Sequence, residues 1–181
     1  MNFSRAFQFV IGEEGGFTDD PNDRGNWSGG APGKGELLGT KYGIAANTYG
    51  VQLKAAGKSI RDLTLADAME IYRRDWWNKM FCDALPAKFR LPLFSAAINC
   101  GMTTAAKWLQ TSVGATADGH IGEKTISAAQ KSNPDRALDG FYTQWLAHYD
   151  KIIARNPSQK KYIKGWQNRV QRTKDINSRL A

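Results

Sequence analysis

The chain has 181 residues and a formal net charge of +8 at pH 7, with only two histidines and two cysteines. This length allows one substantial core, and the scarce, unpatterned His and Cys residues argue against a zinc site, a thiol peptidase or a disulfide framework, so neither metal nor cofactor is expected. The positive charge suits an anionic partner, but no nucleic-acid-binding motif accompanies it, so nucleic acid is not expected.

The N-terminal segment predicts a short amphipathic helix that leads to an acidic residue. Its apolar residues recur at helical spacing: Phe3, Phe7, Val10 and Ile11. The Gly15-Gly16 pair is expected to end this helix and to leave Glu14 in its last turn. The helix dipole there, together with partial burial in a cleft, would raise the pKa of Glu14 and suit a general acid. The alternative is a solvated glutamate at a helix end.

A segment rich in Gly, Asp, Asn and Pro follows and predicts turns. A loop here can fold Asp23 back toward Glu14, which would supply the paired acids of a glycoside-cleaving site. Asp20, just before Pro21, is the main rival for the second carboxylate. The alternative is turn chemistry, in which Asp19, Asp20 and Asp23 accept hydrogen bonds from local backbone amides. A calcium loop is not expected, because the ligands of an EF-hand are out of register.

The span from Gly25 to Gly39 is rich in glycine and predicts a long loop or an irregular hairpin. Thr40 follows it and offers a hydroxyl to the candidate site. Trp27 within the loop and Tyr42 beside Thr40 are the aromatic residues best placed to line a glycan cleft, since binding groups concentrate on loops near a site. We therefore expect Trp27 and Tyr42, together with Asp20, to contact substrate.

Beyond this loop, helical patterns predominate. Pro92 is expected to open a helix that runs to Cys100. Asp118-Gly119 predicts a tight turn before the next helix. Two further helical stretches are predicted, at residues 135–155 and 158–180. The fold class is therefore predicted as mainly α, with a glycine-rich loop or small β element near residues 25–43.

The last predicted helix is basic and amphipathic. Its apolar face is formed by Ile163, Trp166, Val170 and Thr173. The cations around that face are Lys160, Lys161, Lys164, Arg169, Arg172 and Lys174. Docking on the core with a solvated charged face is the favoured interpretation, and contact with an anionic bacterial membrane is the alternative.

The order of these motifs resembles the N-acetylmuramidases of glycoside hydrolase family 108, which occur in phage endolysins and bacterial secretion activators. The matching segments are EGGF from Glu14, DDPNDRGNW from Asp19, GELLGTKYGI from Gly35, and residues 63–77. The motif glutamate of that family is essential for lysis and corresponds to Glu14. The resemblance therefore implies a lysozyme-like fold with Glu14 as the catalytic acid.

A looser similarity links the chain to the Glu, Asp, Thr triad of phage-type lysozymes. Glu14, Asp23 and Thr40 fall in the same order, with a long insertion before Thr40. The similarity implies that Glu14 protonates the leaving oxygen. Asp23, helped by Thr40, would then orient water or stabilise an oxocarbenium-like transition state.

The second half of the chain resembles the predicted peptidoglycan-binding region that usually follows the catalytic segment in this family. The resemblance lies in residues 87–131 and implies a catalytic muramidase segment over 1–86 and a helical region over 87–181, packed into one compact body. The second region either binds peptidoglycan by itself or simply packs against the first.

The resemblance implies a peptidoglycan hydrolase that cleaves the β-1,4 bond between N-acetylmuramic acid and N-acetylglucosamine and lyses the bacterial host cell. A lytic transglycosylase, whose products end in anhydro-muramic acid, and a non-catalytic wall-binding or secretion-assisting protein are the alternatives. Residues 1–12 lack the features of a signal peptide, and no segment is long enough to span a membrane. We therefore expect a monomer that stays in the host bacterial cytoplasm before its release to the cell wall, with peptidoglycan as its partner.

Overall fold

The computed structural model describes residues 1–12 and 16–179. Within these ranges the protein is mainly helical and has one small two-stranded sheet, which confirms the predicted mainly-α, lysozyme-like fold class. The chain divides into two compact units, a smaller one from Phe7 to Tyr72 and a larger one formed by Met1–Ala6 and Arg73–Ala181. No helix in the described ranges is long and apolar enough to cross a membrane.

The first helix, α1 (Phe3–Ile11), ends earlier than the sequence pattern predicts. Gly12 takes the left-handed conformation with φ 64°, and its N–H donates to the carbonyl of Gln8 at 3.2 Å. A glycine in this conformation is a common helix stop, because it lacks the Cβ that makes the left-handed region costly. The prediction that the helix continues to Glu14 is therefore wrong, and Glu14 itself lies outside the described residues.

The smaller unit holds the sheet and two short helices around an apolar core. Strands β1 (Thr40–Lys41) and β2 (Ile44–Ala45) pair in antiparallel fashion. The helical elements are a 3₁₀ turn at Arg24–Asn26, a π turn at Ala46–Gly50, α2 (Val51–Ala55) and α3 (Leu65–Tyr72). The core includes Phe7, Ile44, Ile60, Leu63, Ala68 and Tyr72.

The glycine-rich span forms the irregular hairpin that the sequence predicts. Trp27 and Leu37 form an antiparallel bridge, and Ser28 N–H donates to the Glu36 carbonyl at 2.9 Å. The hairpin leads directly into β1, so its base is fixed beside the sheet.

The larger unit is a bundle of helices around aromatic side chains. Its α-helices are α4 (Ala87–Cys100), α5 (Met102–Ser112), α6 (Glu123–Lys131), α7 (Pro134–Arg155) and α8 (Ile163–Ser178). A π turn at Arg73–Trp77 and a 3₁₀ turn at Cys82–Ala84 precede α4, and a 3₁₀ turn at Pro157–Tyr162 joins α7 to α8. The largest buried rings are Trp77, Phe89, Phe94, Phe141 and Trp145.

Helix α4 begins at Ala87, so the prediction that Pro92 opens it is wrong: Pro92 lies inside the helix. A proline has no N–H, and the Lys88 carbonyl four residues earlier therefore lacks its helical donor. Asn177 on α8, only 3 % exposed, supplies a replacement, since its Nδ2 donates to the Lys88 carbonyl at 2.9 Å. The interior proline is thus tolerated because a side chain from another helix completes the hydrogen bonding.

The predicted turn at Asp118-Gly119 is present and is built around Gln110, which is 1 % exposed. The Gln110 amide nitrogen donates to the Asp118 carboxylate at 2.7 Å and to the His120 carbonyl at 2.9 Å, while its oxygen accepts from Gly119 N–H at 2.8 Å. Hydrogen bonds from the His120 backbone and from Gln110 lower the pKa of Asp118. This turn therefore serves packing and leads into α6.

Helix α8 docks through the apolar face that the sequence indicates. Val170 and Thr173 are buried, and the Trp166 ring stacks on Tyr149 with 4.9 Å between centroids. The favoured interpretation of the basic helix, docking with a solvated charged face, agrees with this burial.

We predict that Asn177→Ala lowers the free energy of unfolding by about 1–3 kcal/mol, because the Lys88 carbonyl then stays buried without a donor. In Pro92→Ala the restored N–H can serve that carbonyl, so the double variant Pro92→Ala/Asn177→Ala should lose about 1 kcal/mol less than the sum of the single changes. Urea unfolding of the four proteins measures this coupling. Asn168→Ala, an exposed change on α8, is the control and should stay within about 0.5 kcal/mol of the parent. Strictly additive losses would contradict the prediction.

Candidate active site

Glu14 lies outside the described residues, so the site is defined by the segment that follows it and by the small sheet. Thr18 pairs with Thr40 on β1: the Thr18 N–H donates to the Thr40 carbonyl at 2.9 Å, and the Thr40 N–H donates back at 2.8 Å. The chain after the EGGF motif therefore runs beside β1, the strand that carries the predicted site threonine.

The turn between β1 and β2 has an unusual backbone. Its central residues, Tyr42 and Gly43, have φ values of 51° and 73°, the positive pair that a type I′ hairpin turn requires. A tyrosine in this region is strained, whereas glycine is not. Gly43 also packs so closely on the Tyr72 hydroxyl that a Cβ would overlap it. Burial raises the pKa of Tyr72 to about 12, so this hydroxyl keeps its proton.

The strand register separates a core face from an open face. Lys41 is opposite Ile44, which is fully buried, and Thr40 is opposite Ala45, which is half-buried. Directly opposed residues share a face of a sheet, and successive residues alternate. Thr40 therefore shares the more open face with Ala45 and with its other partner, Thr18.

Asp23 approaches this open face through Gly25. A Cβ at Gly25 would lie 3.7 Å from the Ala45 Cβ and 3.3 Å from Asp23 Oδ1. Gly25 therefore lies between the carboxylate of Asp23 and Ala45, the cross-strand partner of Thr40. A shared site of Asp23 and Thr40, as the triad similarity implies, stays a prediction.

Asp23 and Asp20 both engage one oxygen in local turns. Asp23 caps the 3₁₀ turn, with Oδ1 accepting from Gly25 N–H at 2.8 Å. Asp20 Oδ1 accepts from the Asn22 N–H at 2.9 Å and from its side-chain amide at 3.0 Å. Both carboxylates are exposed, and within the described ranges the Oδ2 of each has no hydrogen-bond partner. The turn hydrogen bonds therefore use one oxygen of each carboxylate and leave the other oxygen for solvent or substrate.

Asp19, by contrast, is paired. Its Oδ2 lies 3.0 Å from the Arg61 guanidinium. The described residues contain no cluster of three or more His, Cys, Asp or Glu side chains that could hold a metal ion. Asp20 and Asp23 are thus the acidic side chains of this loop that remain candidates for the second carboxylate.

The predicted substrate-contacting aromatics are both half-buried. The Trp27 indole N–H donates to the Pro21 carbonyl at 2.8 Å, so this tryptophan offers a ligand its ring and not its donor. Tyr42 projects from the hairpin turn, and the Lys41 ammonium lies 5.5 Å from its ring centroid. Contact of either ring with a glycan remains a prediction.

Arg61 is a structural element of this site that sequence reasoning missed. Its guanidinium lies 4.0 Å from the centroid of Phe17, the aromatic residue of the EGGF motif, and also pairs with Asp19. Lys41 donates to the Arg61 carbonyl at 2.7 Å, which ties this segment to β1. Beneath the ring, Gly39 leaves no room for a Cβ against Phe17. Arg61 is distant in sequence and belongs to no motif, so nothing in the sequence pointed to it.

Asn26 is the second element that the sequence did not reveal. It is fully buried, and its side-chain Nδ2 donates to the Asp20 backbone carbonyl at 3.0 Å. The backbone carbonyl of Asn26 accepts from Leu38 N–H at 2.9 Å and from Gly39 N–H at 3.0 Å. The acidic loop and the end of the glycine-rich hairpin are therefore fixed to one residue. A buried asparagine inside a polar loop segment gives no sequence signal of this kind.

Comparisons with known proteins identify the family of the chain. The sequence profile described as "Glycosyl hydrolase 108" matches residues 7–101, which is more than half of the chain. The chain belongs to glycosyl hydrolase family 108. A second profile, described as "Predicted Peptidoglycan domain", matches residues 104–171. The solved structure of Brucella abortus SagA is similar, with 31 % sequence identity, a TM-score of 0.74 and coverage of 97 % of this chain and 92 % of that chain. A search of curated proteins returned no match.

These matches confirm the resemblance drawn from the motifs and make the protein a glycoside hydrolase with peptidoglycan as its substrate or partner. The two profiles meet between α4 and α5, whereas the compact units divide between Tyr72 and Arg73. The predicted division between residues 86 and 87 stays a prediction.

We predict that Gly43→Ala destabilises the smaller unit more than Gly57→Ala does. Both glycines have φ near 70°, which costs an alanine about 1–2 kcal/mol. Only Gly43 also faces the Tyr72 hydroxyl, while a Cβ at Gly57 meets no described atom within 4 Å. Displacing Tyr72 should add about 1–3 kcal/mol to the loss at Gly43. Equal losses in chemical unfolding would show that the contact between the turn and Tyr72 is unimportant.

Proposed function

We propose that the protein is an N-acetylmuramidase that hydrolyses the β-1,4 bond between N-acetylmuramic acid and N-acetylglucosamine in peptidoglycan. Membership of glycosyl hydrolase family 108 supports the reaction class. The observation that carries the residue assignment is the Thr18–Thr40 pairing, since it places the chain that follows Glu14 beside the strand that holds Thr40.

In this proposal Glu14 is the general acid that protonates the leaving glycosidic oxygen. Asp23 uses Oδ1 to cap its turn and keeps Oδ2 for the reaction, where it orients water or stabilises positive charge on the sugar. The Thr40 hydroxyl assists in placing that water. Oδ1 thus holds the Asp23 carboxylate in place while Oδ2 takes part in the reaction.

The aromatic residues of the loop and the turn would hold the glycan. Trp27 is fixed by its indole hydrogen bond to the Pro21 carbonyl and presents a ring face, and Tyr42 is held at the tip of a two-residue turn. Flat apolar faces of this kind suit the C–H faces of pyranose rings. Asp20 would contribute a hydrogen-bond acceptor to the same surface.

A lytic transglycosylase is the second candidate, and one observation favours it. Both Asp20 and Asp23 are engaged in local turns, as a purely structural role would require. A transglycosylase needs one acid/base glutamate and no partner to activate water, so it would leave these aspartates without a part in the chemistry.

At the level of biology we propose a phage endolysin that lyses the host bacterial cell. It would remain in the host cytoplasm until release to the wall and would act as a monomer. Residues 1–86 would carry catalysis, and residues 87–181 would contact peptidoglycan. The match of residues 104–171 to a peptidoglycan domain supports the second role.

We predict that Glu14→Gln lowers turnover of purified peptidoglycan by about a thousandfold, because the amide cannot donate the catalytic proton. Mass spectrometry of released muropeptides is the measurement. Reducing N-acetylmuramic acid ends from the parent alone would support the muramidase, and anhydro ends would support the transglycosylase. Release of neither product by a folded parent would contradict both and favour a non-catalytic wall-binding protein.

We predict that Asp23→Asn lowers turnover by about a hundredfold while the free energy of unfolding changes by less than about 0.5 kcal/mol, since asparagine caps a turn as well as aspartate does. Asp20→Asn is the matched control: it also keeps its turn and should retain turnover within about threefold. Asp23→Ala should lose both turnover and stability. Full turnover by Asp23→Asn would remove Asp23 from the chemistry, and loss in Asp20→Asn alone would transfer the role to Asp20.

A further inference from the structure

A row of aromatic rings runs from the core of the larger unit to its surface. Tyr149 on α7 is 3 % exposed, Trp166 on α8 is half-buried, and Tyr162 just before α8 is 47 % exposed. Ring centroids are 4.9 Å apart between Tyr149 and Trp166 and 6.1 Å apart between Trp166 and Tyr162, with interplanar angles of 25° and 31°. Trp166 is thus stacked on the buried Tyr149, and Tyr162 continues the row with its ring tilted against Trp166.

Cations border this row. The Lys161 ammonium lies 5.0 Å from the Tyr162 ring centroid. Arg169 follows Trp166 by three positions on α8 and therefore shares its face. Arg169 also lies near Tyr149, where it opposes the burial that raises the pKa of that phenol to about 12. Arg169 donates a hydrogen bond to the Tyr149 hydroxyl, and among the residues that the structure describes neither Lys161 nor Arg169 forms a salt bridge, so neither charge is neutralised by an acidic side chain.

Gly165 leaves open space beside the row. It lies three positions after Tyr162 and four before Arg169, so it shares their face of the helix. Its φ is not positive, and a Cβ there would meet no described atom within 4 Å. Neither backbone conformation nor packing therefore requires glycine, although glycine is a poor helix former. A close approach of a ligand to the backbone is a reason for a side chain to be missing.

We infer that Tyr162, Gly165 and Trp166, with Lys161 and Arg169, form a binding surface for the muramyl peptide units of peptidoglycan, in which a sugar is joined to a stem peptide that carries free carboxylates. The inference rests on the proposed function in that it takes peptidoglycan as the substrate. A pyranose ring stacks on the exposed Tyr162 ring beside Gly165, and a stem-peptide carboxylate accepts charge-assisted hydrogen bonds from the ammonium or guanidinium.

Two features favour a glycan over a membrane as the occupant. An interfacial helix inserts a continuous apolar face into lipid. On α8 the residues Val170 and Thr173 are buried in the unit, and the exposed surface is a short row of aromatic rings with polar groups at their edges and cations around them.

The Asp118-Gly119 turn is a poorer candidate for the glycan, because Gln110 already forms hydrogen bonds with its polar groups.

The test is co-sedimentation of the full chain with purified, insoluble peptidoglycan sacculi. All proteins carry Glu14→Gln so that the sacculi stay intact. Tyr162→Ala and Gly165→Leu should each weaken binding by about fivefold or more, while Tyr162→Phe, which keeps the ring, should bind like the parent. Gly165→Leu is the decisive variant, because leucine favours the helix and should not lower the midpoint of thermal unfolding.

Phe81→Ala is the matched control, since Phe81 is a ring of the same unit that is 52 % exposed and lies outside the row. It should bind sacculi like the parent. Sacculus binding unchanged in both Tyr162→Ala and Gly165→Leu would overturn the inference. So would a loss that appears only with phosphatidylglycerol vesicles, which would assign the row to a membrane. Because binding is measured without turnover, it is independent of the muramidase proposal: sacculus binding by the Glu14→Gln protein, together with no cleavage by the chain with Glu14 intact, would contradict the muramidase proposal alone.

Discussion

The smaller unit depends on the hydrogen bonds of one buried residue, Asn26, which bonds through both its side chain and its backbone. A long glycine-rich segment has little apolar surface to bury, and its ordering costs more backbone entropy than that of other residues. Asn26 offsets this by joining the Asp20 carbonyl to the N–H groups of Leu38 and Gly39. The acidic loop, the hairpin and the start of β1 are thereby held at one point. Any chemistry of Asp23 and Thr40 requires this link, because neither residue lies on a long regular element.

The same loop shows why local and catalytic roles of an aspartate cannot be separated from sequence. A run of Asp, Asn and Gly residues predicts turns, and Asp20 and Asp23 do cap turns. The prediction that Asp23 also faces a reactive centre depended on similarity of order and spacing, and the proximity of Gly25 to Ala45 is consistent with it. A cap fixes a carboxylate through one oxygen, and fixing is what a reacting group needs. Turn chemistry and catalysis are therefore compatible at Asp23.

Sequence reasoning succeeded where the signal was periodic or tied to one residue type, and failed where distant residues decide the outcome. Helical periodicity, the Asp118-Gly119 turn and the glycine-rich hairpin were all predicted, because each follows from local propensity. The end of α1 was misplaced because a single Gly12 stops the helix before the more conspicuous glycine pair. The start of α4 was misplaced because Asn177, far along the chain, makes an interior Pro92 tolerable. Arg61 was not predicted for the same reason: its structural role depends on its contacts with Phe17 and Asp19, which are distant in the sequence.

In the larger unit, stability and recognition place opposite demands on the N-terminal part of α8. Val170 and Thr173 anchor the helix through burial, and the Trp166 ring in its first turns stacks on Tyr149. Those turns nevertheless carry a helix-disfavouring glycine, an exposed tyrosine and cations without described acidic partners. Each feature alone is ordinary for a protein surface, but together they lie on one helical face, and no contact among the described residues requires the glycine. A polymer that combines flat sugar rings with carboxylates would use all of them at once, and cations at the rim would bring the enzyme to an anionic wall before its active site meets a bond.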